Sequence, residues 1–146
     1  HINRRDIRMV PNTFEGVGLS GRLSPQWETT LTYVTRMKQR NSDQFIPVSE
    51  AAGLLDTDEH LAVGGLRWSP VEGFNIGAMS LYAREFMNTF YTEANYSTIL
   101  GATMLGSDIG VSLSAQYSDQ RSVGRELGGD IKASVFGSRA EASWRG

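Results

Sequence analysis

Side chains alternate one by one between apolar and polar along almost the whole chain, and only one short stretch has helical composition. Alternation of period two is the signature of a strand with two unlike faces. It runs from Gly16 to Leu23, then from Trp27, where Trp27, Thr29, Leu31, Tyr33, Thr35 and Met37 share a face for about 14 residues. It resumes with Ala62, Gly64, Leu66 and Trp68, then with Phe74, Ile76, Ala78, Ser80 and Tyr82, although Met79 and Leu81 fall on the expected polar side. Further strands carry Phe90 to Leu100, Ile109 to Tyr117, and Phe136 to Trp144. The exception, Ser49–Leu55, is interrupted by Gly53 and allows one helical turn inside a loop. About seven long strands in succession with no helical crossover predict an all-β antiparallel meander.

The connections differ at the two edges of that meander. Ser24–Gln26, Ser69–Gly73 and Gly101–Asp108 are compact, whereas Asn41–Glu59 and Asp119–Gly129 are long; the connection near Glu85–Asn88 is short and breaks the pattern. Membrane barrels have short turns at one rim and longer loops at the other. On the apolar face, Trp27, Trp68, Phe74 and Trp144 lie toward the compact-turn edge, and Tyr33, Tyr82, Phe90 and Tyr117 toward the other. Two aromatic belts fit a wall crossing a lipid–water interface, whereas a sandwich gathers its aromatics in mid-strand. A soluble β-sandwich or a lipocalin-like ligand-binding module alternates too, and it is the rival expectation.

Composition narrows the chemistry. No run approaches 18 apolar residues, which excludes a spanning helix and says nothing against a spanning barrel. The absence of cysteine excludes a disulfide scaffold and a thiol nucleophile. With only His1 and His60, no triad or His-rich metal site is assembled, and a net charge of −2 does not suggest a nucleic-acid binder. Neither a catalytic residue, a metal site nor a cofactor is expected. The Asp56, Asp58 and Glu59 cluster lacks EF-hand spacing and reads as a solvated loop. The chain opens His1-Ile2-Asn3-Arg4-Arg5 and closes on the strand pattern Glu141–Gly146, so residues 1–146 are expected to be an internal fragment of one barrel domain.

Three segments carry a family resemblance. Asp6-Ile7-Arg8-Met9-Val10-Pro11-Asn12-Thr13-Phe14-Glu15-Gly16, Phe90–Tyr96, and Tyr117–Gly124 followed by Glu126–Asp130 resemble the OprD family of bacterial outer-membrane porins. The resemblance implies a stretch of wall from a transmembrane barrel of about 18 strands, which taken alone is an open curved sheet. It also implies passive, substrate-selective uptake of small solutes, often carboxylates, amino acids or similar, through a channel narrowed by infolded loops and lined by arginines. Asn41–Glu59 is a candidate for such a loop. The location implied is the bacterial outer membrane, with lipid as a partner and a homo-oligomer compatible with the pattern.

If the polar face is a lumen, Arg22, Arg36, Lys38, Arg40, Arg67, Arg139 and Arg145 outnumber Glu28, Glu93 and Glu141 there. Successive fixed cations lower the barrier to an anion. The expected substrate path is Arg22, Arg36, Lys38, Arg40, Arg67, Glu93, Arg139 and Glu141. The plainer expectation is that the arginines pair with neighbouring glutamates. The expected interface aromatics are Trp27, Tyr33, Trp68, Phe74, Tyr82, Tyr117 and Trp144. Ser114-x-x-Tyr117-x-Asp119 suggests a constriction motif, but Tyr117 has apolar-face parity and is not assigned to the path.

Overall fold

The computed structural model describes residues 12–40, 42–54, 57–102 and 107–145. The Asp6–Pro11 part of the family-like segment, Asp56, and the centre of the Gly101–Asp108 connection lie outside the described residues, as does the side chain of Arg145.

The strands are β1 (Thr13–Ser24), β2 (Trp27–Lys38), β3 (Ile46–Pro47), β4 (Leu61–Val71), β5 (Phe74–Ala83), β6 (Met87–Ala102), β7 (Ser107–Ser122) and β8 (Lys132–Arg145), with one short helix, α1 (Val48–Ala51). They form one antiparallel sheet in the order β1-β2-β4-β5-β6-β7-β8, with β3 paired to β2. This is the expected meander of seven long strands. α1 is the single turn that the Gly53-interrupted stretch allowed.

Several boundaries differ from the sequence reading. Ser69–Val71 belongs to β4 and not to a turn, leaving Glu72–Gly73 as the tight reversal. The Ser69 amide donates to Gln26 O at 2.8 Å. Pro70, which has no amide to give, sits where the ladder register shifts between Trp68 and Val71. β6 begins at Met87 and β7 continues to Ser122, because each pairs with the other residue for residue over that stretch. β2 ends at Lys38, so Arg40 leaves the strand and its amide donates to Asn12 Oδ1 at 3.2 Å.

Register puts Val17, Leu31, Trp68, Ile76, Ala94, Leu113 and Ala140 on one face, and Arg22, Glu28, Arg67, Glu93, Gln116 and Arg139 on the other. Among the described residues nothing covers the apolar face, with Leu19 68% and Phe136 70% exposed. The buried apolar side chains lie on the polar face instead: Val34, Val63 and Ala83, on β2, β4 and β5 toward the long-connection edge. In a one-layer sheet only a connection can cover them, and the β2–β4 connection brings α1 onto β2. Its Ser49 is buried, donating to Thr57 O at 2.6 Å and accepting from the Glu59 amide at 3.0 Å. Leu81 lies at the margin of this patch as the cross-strand partner of buried Val63, whereas Met79, opposite Gly65, stays exposed. Pairing of β5 with β6 is regular from Phe74 to Ala83, so no bulge in β5 sets the parity of either residue.

Candidate functional site: the two faces of the wall

The polar face is organised as rows crossing the strands. One row places Arg22 beside Glu28, Glu28 beside Arg67, Arg67 beside Gly77, Gly77 beside Glu93, and Glu93 beside Gln116. Arg22 Nε donates to Glu28 Oε1 at 2.9 Å. Arg67 Nη2 reaches across side-chain-free Gly77 to Glu93 Oε1 at 2.8 Å. The Tyr91 hydroxyl donates to Glu93 Oε2 at 2.9 Å, and Gln116 Oε1 is 3.3 Å from the same hydroxyl. Arg139 pairs with Glu141 along β8.

Three expected channel arginines are therefore engaged with the three expected carboxylates, which is the plainer of the two expectations. Among the described residues, Arg36, Lys38 and Arg40 have no carboxylate within 4 Å, and Lys38 lies over the Phe45 ring, 5.8 Å from its centre. These three stand next to the connection that covers Val34. Sequence reading missed the Tyr91 and Gln116 partnership with Glu93. Their parity was legible, but which groups meet depends on register.

The long-connection edge is tied together by Arg125. Its guanidinium lies 3.8 Å from Glu59 of the β2–β4 connection and 3.4 Å from Glu85 of the β5–β6 turn. The Arg125 amide donates to Glu85 Oε2 at 2.7 Å, and the Leu127 amide to Glu85 O at 2.9 Å. Glu85 has a positive φ of 56°, an uncommon conformation held here by those bonds. Nothing in the sequence spacing pointed to this clamp.

On the apolar face the aromatics form two slanted lines. The row through Trp27 runs Trp68, Ile76, Ala94, Ala115 and Ser138. Trp27 and Trp68 stack there, ring centres 5.6 Å apart and planes 20° apart. Phe74 and Tyr96 lie one same-face step toward the compact turns, and Trp144 three steps. In the opposite direction Tyr33 and Tyr82 lie three steps away, Phe90 two, and Tyr117 and Phe136 one. Both lines thus slope the same way across the sheet. Three steps are about 20 Å along a strand, and β2 to β8 spans about 24 Å across the strands. The lower line is inclined by about 40° to the pairing rows and the upper by about 30°. Strands of barrels tilt by about 35–45°, so a level aromatic girdle must cross the pairing rows at that angle. Tyr96 and Phe136 join the lines beyond the residues expected from sequence.

No family model and no curated protein matches the chain. Solved structures do. OpdK of Pseudomonas aeruginosa, solved with vanillate, superposes with a TM-score of 0.71 at 17% identity over 93% of this chain and 35% of its own. OpdL of the same organism gives 0.75 at 15% identity, over 94% and 36%. OccAB3 of Acinetobacter baumannii gives 0.76 at 12% identity, over 96% and 35%. The chain spans about a third of the length of each of these proteins. In fold, the chain is similar to a stretch of the barrel wall of these porins.

Proposed function

We propose that this chain forms part of the wall of a bacterial outer-membrane porin that passes small solutes by diffusion and favours small anions. The observation that carries the reading is the exposed apolar face of a single-layer sheet, crossed by two aromatic lines that slope the same way, the lower at a barrel's strand tilt and the upper somewhat less. A soluble sandwich or lipocalin-like module would bury that face against a second layer or a ligand. The polar face is then the lumen, and the β2–β4 connection, with α1 against β2, narrows it from the outer side. OpdK was solved with vanillate, an aromatic carboxylate, which supports a carboxylate as the solute class.

With Arg22, Arg67 and Arg139 paired, the net positive charge of the face lies at Arg36, Lys38 and Arg40, which outnumber Glu15, the cross-strand partner of Arg36. Anion preference is therefore set at the outer half of β2, beside the infolded connection, while the paired row below stays polar and near neutral. Fixed cations there lower the barrier to a carboxylate and remain solvated enough to release it. The test is the reversal potential of the intact protein in a planar bilayer under a salt gradient. Arg36→Ala with Lys38→Ala removes two charges and shifts preference several-fold toward cations, whereas Arg139→Ala removes one and shifts it less. An unchanged potential in the double variant overturns the anion claim, and failure to form channels overturns the porin reading.

A further inference from the structure

The lipid-facing side carries almost no charge. Among the described strand residues on that face, only Asp119, Arg121 and Lys132 are charged, and they form one patch at the outer end of β7 and β8. Arg121 and Lys132 are direct cross-strand partners, and Asn88 is Arg121's partner on the other side. Ser134 stands opposite Asp119. Like charges placed directly opposite each other in a sheet repel. Asp119 relieves only part of this: it accepts from Arg121 Nε at 2.7 Å and Nη2 at 3.4 Å. Among the described residues Lys132 has no carboxylate within 4 Å, so the patch keeps a net positive charge.

Its depth is fixed by the aromatic line. Arg121 follows Tyr117 by four residues on the same face, about 13 Å along the strand. At a barrel's tilt this is about 10 Å along the membrane normal, above the ring line and at the level of lipid headgroups. A phosphate has several acceptor oxygens and bridges a guanidinium and an ammonium, removing the repulsion between them.

We propose that Arg121 and Lys132, with Asn88 beside them, form an outer-leaflet binding site for the phosphate of a phosphorylated glycolipid headgroup. This rests on the outer-membrane reading above. The occupant is assigned from the patch's charge, its direction toward lipid and its height above Tyr117 and Phe136.

The test uses the intact protein in detergent micelles, with bis-phosphorylated lipid A as the probe and the same lipid stripped of phosphate as control. Binding is followed by native mass spectrometry. The wild type retains the phosphorylated lipid in preference to the stripped one, and Arg121→Gln with Lys132→Gln weakens retention about ten-fold or more. Arg121→Lys, which keeps the charge, retains most of the binding. Equal retention by the double variant and the wild type overturns the proposal. So does displacement by tens of millimolar inorganic phosphate, which would make this a site for soluble anions. Channel formation in bilayers is measured on the same samples. A protein that conducts but shows no phosphate preference fails this inference alone, and one that neither inserts nor conducts overturns both.

Discussion

Exchanging the two charges of the Arg67–Glu93 pair separately makes a sharp test of which face lines the path. The side chains are 51% and 27% exposed, so breaking the pair costs the fold about 1 kcal/mol or less. The barrel therefore survives and permeation can be read cleanly. Glu93→Gln leaves the Arg67 guanidinium uncompensated. For an ion passing about 5 Å away, one unit charge is worth about 0.8 kcal/mol in water, reduced to about 0.45 kcal/mol by physiological salt. Anions gain that amount and cations lose it, so the anion-to-cation permeability ratio rises about four-fold. Arg67→Gln leaves Glu93 uncompensated and lowers the ratio by a similar factor. The double variant returns to the wild-type ratio. The assay is the reversal potential of single channels in a planar bilayer across a potassium chloride gradient. If both single variants keep the wild-type potential, this row does not face the ion path. If both shift it the same way, pair neutrality is not what sets the local charge.

Two further outcomes follow from the turn and from the two faces. Gly73→Ala destabilises the β4–β5 hairpin by about 1–2 kcal/mol, because Gly73 has a φ of 79° and an added Cβ strikes Ser97 O; an unchanged unfolding midpoint in urea refutes this. Ala94→Lys, between the aromatic lines on the lipid side, costs about 2–4 kcal/mol in vesicle unfolding. Gln116→Lys, next to it across the sheet on the other face, costs within about 0.5 kcal/mol. Equal costs refute the face assignment.

How much the sequence disclosed follows a physical division. Parity was legible, because a strand sends neighbouring side chains to opposite faces regardless of what it pairs with. Trp27, Trp68 and Tyr82 could therefore be assigned to one face and Arg67 and Glu93 to the other. Leu81 looked anomalous because Val63, its partner across the ladder, is buried on the polar face, where local pattern predicts no apolar cover. Arg139 and Glu141 sit two residues apart on one strand, so their pairing could be expected. The pairing of Arg67 with Glu93, 26 residues away, depends on register across β5 and on Gly77 leaving room. The Arg125 clamp depends on how three connections meet, which local pattern does not encode. Pro70 suggested a turn by composition, yet β4 continues past it because the ladder shifts register there.

The sequential order of the sheet also governs how such a wall could assemble. Each long strand pairs with its neighbours in the chain, so most ladders close over short connections and little loop entropy is lost. Hairpins of this kind form quickly. The outward edges of β1 and β8, however, present rows of amides and carbonyls that no strand of this sheet meets. In hydrocarbon each such unmet group costs several kcal/mol. The hairpins can therefore zip at the water interface, but the wall cannot cross the bilayer until both edges find partners. For a wall of the kind proposed above, insertion and edge pairing are therefore coupled into one cooperative event.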